Sequence, residues 1–332
     1  MVATPALIDR HGRTIRYLRV SVTDRCDLRC RYCMAEKMIF LPRSELLALE
    51  EIALIAERFV ARGVSKIRLT GGEPLVRRDA IDLVRRLGRS VGHGLDELTM
   101  TTNATRLTQY ADMLADAGVR RINVSLDSRN PETFRHITRH GDVTEVLAGI
   151  DAALAAGIAV KINMVALKGL NDGEIPDMLA WAGAQRMDLT LIETMPLGVI
   201  DEDRADRFVP LTAVMDDLSA RFTLTPDSHN SGGPARYWRV AETGARLGLI
   251  SPLTGNFCAT CNRVRLTTEG KLYTCLGHED QVDLKAAIRE GGLDAVDAAI
   301  DAALATKPER HDFDVTRGVA PAVGRHMSVT GG

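Results

Sequence analysis

The stretch "LRVSVTDRCDLRCRYCM", residues 18–34, joins a short β-branched run to a loop that carries three cysteines. The cysteines are Cys26, Cys30 and Cys33, and their spacing is C-x3-C-x2-C. A structural zinc site takes four protein ligands, so three thiols either lack a partner or leave a coordination position open. Because the triad directly follows a predicted strand, the fold around that strand determines where the thiols lie.

Outward from this stretch, short β-branched runs alternate with amphipathic segments such as 44–63 and 107–119, and glycines follow helices at Gly63, Gly118 and Gly157. Strands that alternate with helices predict a parallel sheet. We expect an α/β fold, a partial, TIM-like β/α barrel of six strands, with an open doubly wound sheet as the alternative. In either fold, ligands gather at the carboxyl ends of the strands. The predicted strands are 18–23, 66–70, 97–102, 121–127, 159–165 and 188–194.

The chain changes character after residue 195. Residues 1–195 form the predicted barrel core, and residues 196–332 form a C-terminal region that is expected to close the barrel. Within that region, 225–238 has the composition of a flexible loop, a hairpin follows it, and helical segments occupy about 282–306.

Composition narrows the class of protein. The chain has 332 residues, a formal net charge of −2, 26% charged residues and 4% aromatic residues. These values predict no nucleic-acid surface, and no apolar run is long enough to span a membrane. Charges at Asp9 and Arg10 interrupt any secretory signal, so we expect a cytoplasmic protein. Thiols stay reduced there, which favours metal or redox chemistry over disulfides.

A second cysteine triad lies in "FCATCNRVRLTTEGKLYTC", with spacing C-x2-C-x13-C. Cys258, Cys261 and Cys275 complete the six cysteines of the chain. Iron–sulfur clusters normally take four thiolates, so three would leave one iron open to another molecule. His278, three residues after Cys275, leaves open a Cys3His zinc site instead.

Short segments along the whole chain share one resemblance. They are "LRVSVTDRCDLRCRYCM", "KIRLTGGEPLVRRD", "TTN", "RINVSLD", "VKINMV", "IETMPLG", "FCATCNRVRLTTEGKLYTC" and the terminal Gly-Gly. The chain resembles the radical S-adenosylmethionine enzymes, and within them the branch that cyclises GTP in the first step of molybdenum cofactor biosynthesis. The first motif is shared by a large superfamily, whereas the second triad and the terminal glycines are narrower signals.

The resemblance implies a reaction and a set of partners. It implies two [4Fe-4S] clusters, S-adenosylmethionine, and a 5′-deoxyadenosyl radical that abstracts the ribose 3′ hydrogen of GTP. The product would be (8S)-3′,8-cyclo-7,8-dihydroguanosine 5′-triphosphate, and the enzyme would be a lyase. It also implies an electron donor of the flavodoxin or ferredoxin type, a downstream cyclic pyranopterin monophosphate synthase, and a monomer or homodimer.

By resemblance, five residues contact S-adenosylmethionine. Gly72 and Glu73 lie in "TGGEP", where glycine allows close backbone approach and a carboxylate can accept hydrogen bonds from an ammonium. Tyr32 lies between two triad cysteines, Ser125 lies on the fourth strand, and Met195 follows the sixth. Without the resemblance, Gly72 and Glu73 also fit an ordinary βα turn. Ser125 fits a serine bonded to a backbone carbonyl, and Met195 fits a methionine that fills space in the core.

By resemblance, the residues that contact GTP are mostly basic and lie on predicted strands. A charged side chain on a strand that is buried on both faces is costly without a partner, so we expect a polar cavity. Local pairing with carboxylates near strand ends is the alternative. Alternation places Arg263 and Arg265 on one strand face, and guanidinium groups suit phosphate. The predicted GTP contacts are Arg19, Arg68, Thr101, Lys161, Arg263, Val264 and Arg265.

The resemblance also implies roles for the second triad and the end of the chain. The open iron of the second cluster would hold the guanine base, which excludes His278 as a ligand. The small terminal glycines would enter the active site, although a frayed terminus is the ordinary alternative. The predicted catalytic residues are Cys26, Cys30, Cys33, Arg263, Arg265, Gly331 and Gly332, and the predicted metal ligands are Cys26, Cys30, Cys33, Cys258, Cys261 and Cys275.

Three positions depart from the family pattern. Ala104 replaces a usual glycine, which predicts backbone strain if φ is positive there. "CMAEKM" lacks a proline that often follows the first triad, and Thr190 replaces a common arginine, which removes one possible phosphate contact. Two other functions stay open: a radical S-adenosylmethionine enzyme of another kind, such as a peptide-modifying one, and a zinc-stabilised, non-catalytic β/α protein.

Overall fold

The structure, a computed structural model, describes residues 6–331. Its strands are β1 (Tyr17–Ser21), β2 (Lys66–Thr70), β3 (Glu97–Thr102), β4 (Arg121–Ser125), β5 (Ala159–Val165), β6 (Asp188–Ile192), β7 (Leu224–Asp227), β8 (Arg236–Val240), β9 (Arg246–Ile250), β10 (Arg263–Leu266), β11 (Lys271–Tyr273) and β12 (Gln281–Asp283). Its α-helices are α1 (Leu49–Ala61), α2 (Ala80–Gly88), α3 (Leu107–Asp116), α4 (Pro131–Thr138), α5 (Val143–Ala155), α6 (Ile175–Ala184), α7 (Arg204–Arg207), α8 (Leu211–Ser219), α9 (Leu284–Ala305) and α10 (Met327–Thr330). Short 3₁₀ turns lie at Arg43–Glu45, Pro74–Val76, Asp172–Glu174 and Cys258–Thr260.

One sheet contains all the strands of the described residues, in the order β12-β11-β10-β1-β2-β3-β4-β5-β6-β9-β8-β7. The run from β10 to β9 is parallel, and an antiparallel pair lies at each edge. Helices connect the successive strands β1 to β6, so the predicted partial β/α barrel is confirmed. The parallel run is longer than the six predicted strands because β9 joins β6 and β10 joins β1.

The C-terminal region combines predicted and unpredicted elements. The predicted hairpin is β8 and β9, which pair antiparallel. The segment 225–238 was expected to be a loop throughout, but its two ends belong to β7 and β8, and only 228–235 lies between them. The predicted helix over 282–306 is α9, which begins after Asp283, whose Oδ1 accepts a hydrogen bond from Ala286 N at 2.9 Å. No helix within residues 6–331, α9 included, has the length and apolar character needed to cross a membrane.

Side chains on the parallel strands alternate between two faces. Leu18 and Val20 of β1, like Ile67 and Leu69 of β2, belong to the apolar core between the sheet and the helices. The intervening positions, such as Arg19, point to the inside of the barrel. Parallel strands are usually apolar on both faces, so a polar inner face marks a binding cavity.

Register places basic side chains of neighbouring strands side by side. Arg19 of β1 pairs with Arg265 of β10 on one side and Arg68 of β2 on the other. Further around the barrel, Lys161 of β5 pairs with Asn123 of β4. Because adjacent strands lie roughly 4.8 Å apart, the guanidinium groups share one region of the barrel interior.

Candidate active site

The first triad lies on the loop that follows β1. Cys26, Cys30 and Cys33 carry free thiols, and Cys33 N donates to the Cys30 carbonyl at 2.9 Å. All three residues line a cavity of about 910 Å³, which we name the first-triad cavity. Its other lining residues come mainly from the carboxyl ends of β2 to β6 and from α10. The loop therefore gathers three thiols where β/α barrels bind ligands.

The glycine loop after β2 holds the cysteine loop in place. Gly72 N donates to the Thr23 carbonyl at 2.9 Å, and Glu73 N donates to the Arg25 carbonyl at 2.8 Å. A Cβ atom on Gly72 would lie 2.3 Å from the Arg25 carbonyl oxygen, so this approach requires glycine. Gly72 also lines the first-triad cavity, where its backbone can meet a ligand.

The Glu73 carboxylate lies behind the cavity wall. Glu73 is 0% exposed, and it accepts hydrogen bonds from Leu75 N at 3.0 Å, Thr102 Oγ1 at 2.9 Å and Asn103 N at 2.7 Å. Burial raises the pKa of Glu73 to about 7, although these donors oppose the rise. Glu73 is therefore not among the lining residues of the first-triad cavity, and its direct contact with the cofactor stays a prediction.

The predicted residues Tyr32, Ser125 and Met195 all line the first-triad cavity. Asp127, which the sequence analysis missed, lines it as well. Tyr32 OH donates to Asp127 Oδ2 at 2.7 Å, and Val165 N donates to Asp127 Oδ1 at 2.8 Å. Burial raises the pKa of Asp127 to about 6. Its place just after a parallel strand is the signal that could have identified it.

The surroundings of the first triad are acidic. Burial together with Glu73 raises the pKa of Cys26, and burial together with Asp127 raises the pKa of Cys30 well above its ordinary value. Burial raises the pKa of Cys33 to about 11. Carboxylates beside buried thiols stabilise positive charge, so this cavity suits iron and a cationic ligand.

The second triad lies at the opposite end of the strands, near the amino end of β10, whereas the first triad follows the carboxyl end of β1. Cys258 and Cys261 precede β10, and Cys275 follows β11. Because β11 runs antiparallel to β10, Cys275 returns to the amino end of β10. The three cysteines line a cavity of about 1000 Å³, which we name the second-triad cavity.

Basic side chains from four strands line the second-triad cavity. The Nε atoms of Arg263 and Arg265 are buried and have no hydrogen-bond partner among the described residues. Lys161 Nζ donates to Tyr237 OH at 3.2 Å, and Lys66 Nζ lies 2.6 Å from Glu97 Oε2. Buried guanidinium donors without partners suit an anion. The basic lining residues are Arg19, Lys66, Arg68, Lys161, Arg263 and Arg265.

Repulsion among these cations contributes to lowering their pKa values. Burial together with Arg68 lowers the pKa of Lys161 well below its ordinary value, and burial together with Arg263 lowers the pKa of Arg265 to about 10. Tyr17 OH accepts a hydrogen bond from Arg68 Nε. Although burial opposes the change, the surrounding cations lower the pKa of Tyr17 to about 7. A multiply charged anion would relieve this repulsion.

Two predicted GTP contacts, Thr101 and Val264, do not line the second-triad cavity in the described structure. Thr101 lines the first-triad cavity, and its Oγ1 accepts a hydrogen bond from Arg68 Nη1 at 3.1 Å. Val264 belongs to the apolar core, because alternation along β10 turns its side chain away from Arg263 and Arg265. The Val264 side chain therefore faces away from the second-triad cavity, and a contact between Val264 and GTP stays a prediction.

Two cations lie beside the Cys261 thiol. Arg263 Nη2 is 4.0 Å from Cys261 Sγ, and Lys307 Nζ is 3.8 Å from the same sulfur. Although burial raises it, these cations bring the pKa of Cys261 down to about 6. The sequence analysis missed Lys307, and no local pattern marks it, because its partners lie far away along the chain.

The last described residue, Gly331, lies inside the barrel. Gly331 lines the second-triad cavity, and its carbonyl accepts a hydrogen bond from Arg19 Nε at 3.3 Å. Gly331 has φ 70, and a Cβ atom there would lie 1.7 Å from Thr70 Oγ1. Only glycine fits this position, which agrees with the predicted entry of the tail. Gly332 lies outside the described residues.

The two cavities meet inside the barrel. The residues that line both cavities are Asn163, Ile192, Met195 and Met327. Met327 begins α10, so the terminal segment contributes to this junction as well as to the second-triad cavity. The two cavities are therefore adjacent at these four residues.

The alternative zinc site is not assembled. His278 Nε2 lies 2.9 Å from the Arg310 carbonyl oxygen, and it is His311 that lines the cavity of the second triad. Within residues 6–331, no three side chains of His, Cys, Asp or Glu converge in the way that a single metal ion requires.

Two of the three sequence departures have different structural consequences. Ala104 adopts φ 67, which meets the condition given above for backbone strain. Thr190 is buried on the inner face of β6, and its Oγ1 has no hydrogen-bond partner among the described residues. A Cβ atom on Gly248 of the neighbouring β9 would lie 2.9 Å from that oxygen, so the region around Thr190 is crowded.

The sequence analysis also missed Lys66, Asn123 and Asn163, which line the second-triad cavity. Each lies on a strand at the same parity as a predicted residue: Lys66 and Arg68, for example, are two residues apart on β2. Strict use of the two-residue period would have identified all three.

The fold and the first thiol loop define a radical S-adenosylmethionine protein. The sequence model of the "Radical SAM superfamily" matches residues 20–182, and that of "Molybdenum Cofactor Synthesis C" matches residues 187–313. The chain is 58% identical over 332 residues to the GTP 3′,8-cyclase of Erythrobacter litoralis, with 100% of both chains covered. It is 60% identical over 331 residues to that of Caulobacter vibrioides, covering 99% of this chain and 94% of the relative. The chain belongs to the GTP 3′,8-cyclase family, which confirms the resemblance found in the sequence.

Solved structures share the fold. Streptococcus suis SuiB bound to S-adenosylmethionine aligns with a TM-score of 0.62 at 14% identity, over 89% of this chain and 66% of that chain. The enzyme anSMEcpe with bound AdoMet aligns with a TM-score of 0.60 at 15% identity, over 87% of this chain and 82% of that chain. At such identities the likeness concerns the fold alone.

Proposed function

We propose that the protein catalyses the S-adenosylmethionine-dependent cyclisation of GTP to (8S)-3′,8-cyclo-7,8-dihydroguanosine 5′-triphosphate, the first step of molybdenum cofactor biosynthesis. The observation that carries the proposal is the opposite charge of two adjacent cavities. The acidic first-triad cavity suits a sulfonium cofactor, and the basic second-triad cavity suits a triphosphate. The names of the most similar relatives support the same reaction.

Both triads fit iron–sulfur clusters by their donor sets. Each supplies three thiols that line a cavity, and thiolates are the usual ligands of such clusters. The proposed [4Fe-4S] ligands are Cys26, Cys30 and Cys33 for one cluster and Cys258, Cys261 and Cys275 for the other. When bound, the first cluster and S-adenosylmethionine supply a 5′-deoxyadenosyl radical that abstracts the ribose 3′ hydrogen, which starts bond formation to C8 of guanine.

The first-triad cavity would bind and orient S-adenosylmethionine. Gly72 offers backbone groups at the carboxyl end of the sheet, and Tyr32 and Ser125 supply hydroxyl groups in the lining. Asp127, held by Tyr32 OH, supplies a negative charge for the cationic groups of the cofactor. Glu73 acts indirectly, since its hydrogen bonds fix the loops that carry Gly72 and Cys26.

The second-triad cavity would bind GTP. Arg19, Arg68 and Lys161 converge from the strands, and Arg263 and Arg265 offer buried Nε donors to phosphate oxygens. Binding of the triphosphate offsets the repulsion among these side chains, so the interaction is stronger than isolated ion pairs would be. The guanine base would then lie toward the thiols of the second triad.

The junction of the two cavities would hold the ribose. Ile192, Met195 and Met327 are apolar and line both cavities, so they exclude water from the position where hydrogen transfer occurs. Asn163 is the polar residue of the junction, and its Oδ1 accepts a hydrogen bond from Asn123 Nδ2 at 3.2 Å. Gly331 closes the same region beside Arg19.

The proposed reaction carries further expectations. It requires a one-electron donor, for which a flavodoxin or ferredoxin is the proposed class, and its product would pass to a cyclic pyranopterin monophosphate synthase. We also propose a cytoplasmic location, a monomeric or homodimeric state, and a division into a barrel core of residues 1–195 and a C-terminal region of residues 196–332.

Transfer of deuterium from GTP tests the proposed function. The full chain, reconstituted anaerobically with iron and sulfide, is incubated with S-adenosylmethionine, a reductant and GTP deuterated at C3′. We expect deuterium in the 5′-deoxyadenosine and a chromatographically distinct isomer of GTP. ATP deuterated at C3′ is the control. Formation of 5′-deoxyadenosine that is independent of GTP, or that carries no deuterium from it, would contradict the proposal and favour a different substrate.

A further inference from the structure

We propose that Lys307 is a positioning residue for the metal centre of the second triad. Its buried ammonium group holds the Cys261 sulfur and raises the reduction potential of the iron–sulfur cluster bound there. The inference rests on the proposed function, because it requires a cluster on Cys258, Cys261 and Cys275.

The Lys307 ammonium contacts three acceptors. Its Nζ lies 3.8 Å from Cys261 Sγ and 3.3 Å from the Arg263 carbonyl oxygen, and it also donates to the Thr274 carbonyl. An ammonium group has three N–H donors, so each donor has a partner. These partners lie in the turn before β10, on β10, and directly before Cys275. One side chain therefore joins the segments that carry the whole triad.

The contacts indicate why a charged residue is present. Lys307 is 1% exposed, and burial of an ammonium group is costly unless a negative group compensates for it. The two carbonyl groups could be satisfied by a neutral donor. Lys307 forms no ion pair with a carboxylate in the described part of the chain. The Cys261 thiolate is therefore the negative group that compensates for the buried ammonium charge.

The fold holds Lys307 in this position. It follows α9 by two residues, and Lys307 N donates to the Leu304 carbonyl at 3.3 Å. Val296, Ile300 and Leu304 bury one face of α9 in the apolar core. The end of the helix is thus anchored, and the ammonium group has little freedom to leave the sulfur.

Among residues 6–331, no ammonium or guanidinium group hydrogen-bonds a sulfur of the first triad, and Arg204 acts on Cys33 only through longer-range Coulombic attraction. Cys26 Sγ lies 3.8 Å from Asn103 Nδ2, which is a neutral donor. Hydrogen bonds and positive charge at a ligand sulfur stabilise the more negative, reduced state of a cluster, and thereby raise its reduction potential. Lys307 therefore affects one cluster and not the other.

Redox titration of the full chain tests this role. EPR-monitored titrations are run on reconstituted wild type and Lys307→Met, and the signals are assigned with a chain in which Cys26, Cys30 and Cys33 are all serine. We expect a negative shift in the potential of the second cluster, and about tenfold faster loss of its iron to a chelator. Lys307→Arg, which keeps the charge, should stay near wild type.

Controls separate charge from structural support. Lys285→Met removes a lysine at the start of α9 whose Nζ bonds the Glu45 carbonyl at the surface, and it should change neither potential. Lys307→Gln keeps donors for the carbonyl groups without the charge, and it should reproduce the shift even if Lys307→Met folds poorly.

The outcomes distinguish this inference from the proposed function. An unchanged potential and unchanged iron loss in Lys307→Met and Lys307→Gln would overturn the inference alone, and Lys307 would then be only a structural support. Wild-type protein that forms no cluster on the second triad would overturn the proposed function, and the inference with it.

Discussion

The two cysteine triads present the same three thiols in opposite electrostatic surroundings. The first lies at the carboxyl ends of the strands beside Asp127 and Glu73, and its thiols have raised pKa values. The second lies at the amino end of β10 beside Arg263 and Lys307, where nearby cations lower the pKa of Cys261 to about 6, although burial raises the pKa of Cys258. Charge around the thiols, rather than the thiols themselves, therefore distinguishes the two sites.

The comparison explains how one barrel can separate a cation from an anion. A sulfonium cofactor is stabilised where carboxylates are buried, and a triphosphate is stabilised where guanidinium and ammonium groups are buried. Ile192, Met195 and Met327 line both cavities, so the two ligands would meet in an apolar region between opposite charges.

The largest effect is expected at Gly331, where the tail enters the cavities. In Gly331→Ala the new Cβ would collide with Thr70 Oγ1 and move the tail away from Arg19. We expect cyclisation to fall about a hundredfold, since small displacements in an active site are costly, with iron content unchanged. Deletion of residues 331–332 should have the same effect.

Gly318→Ala is the matched control for this prediction. Gly318 has φ 75, close to that of Gly331, but nothing lies within 4 Å of its Cβ position. It imposes similar backbone strain without the collision. Equal losses of activity in the two variants would show that the tail is not specifically fitted between the cavities.

The next largest effect is expected in the second-triad cavity, on the affinity for GTP. Arg265→Met removes a buried donor, and we expect GTP affinity to fall about 10–100-fold, with S-adenosylmethionine affinity unchanged. Thermal stability should not fall, because the substitution also removes repulsion from Arg263. Calorimetric titration with GTP and guanosine measures this. Arg239→Met, at a guanidinium that bonds the Gly244 carbonyl, is the control. A larger loss for guanosine than for GTP would contradict a phosphate role.

A smaller effect is expected in the first-triad cavity, and it concerns S-adenosylmethionine instead of GTP. Asp127→Asn keeps groups that can bond Tyr32 and Val165 but removes the charge. We expect S-adenosylmethionine to bind about tenfold more weakly and GTP to bind as before. Equilibrium binding of both ligands to the reconstituted protein measures this, with the exposed Asp177→Asn as control. Weakened GTP binding would show that the charges are not separated as proposed.

The smallest effect is on stability alone. Ala104→Gly relieves the strain of φ 67 and should raise the free energy of unfolding by about 0.5–1 kcal/mol. Ala302→Gly, on the exposed face of α9, should lower it by about 1 kcal/mol. Thermal unfolding measures both, and neither should alter the affinity for GTP. A lower free energy of unfolding for Ala104→Gly would show that the Ala104 backbone is not strained.

Short-range periodicity predicts much of this site. The two-residue period of strands places Arg19, Arg68 and Lys161 inside the barrel from sequence alone. The same period would have identified Lys66 and would have placed the Val264 side chain in the core. The predicted fold followed from β/α alternation, but the pairing of β9 and β10 with β6 and β1 did not, because it depends on long-range contacts.

Other features depend on contacts that no local pattern encodes. Glu73 belongs to the loop that the resemblance assigns to cofactor binding, yet its carboxylate accepts hydrogen bonds from Thr102 and Asn103. Lys307 reaches Cys261 only because α9 ends beside β10. Such positioning residues require tertiary structure to be identified, since their partners are remote in sequence.

The measurement that tests the account most directly is EPR of the reconstituted full chain, with S-adenosylmethionine and GTP added separately. Cys30→Ser and Cys275→Ser assign the two signals. The account predicts about eight irons, with S-adenosylmethionine changing only the signal lost in Cys30→Ser and GTP changing only the signal lost in Cys275→Ser. About four irons with one zinc, or a GTP response confined to the first triad, would contradict it.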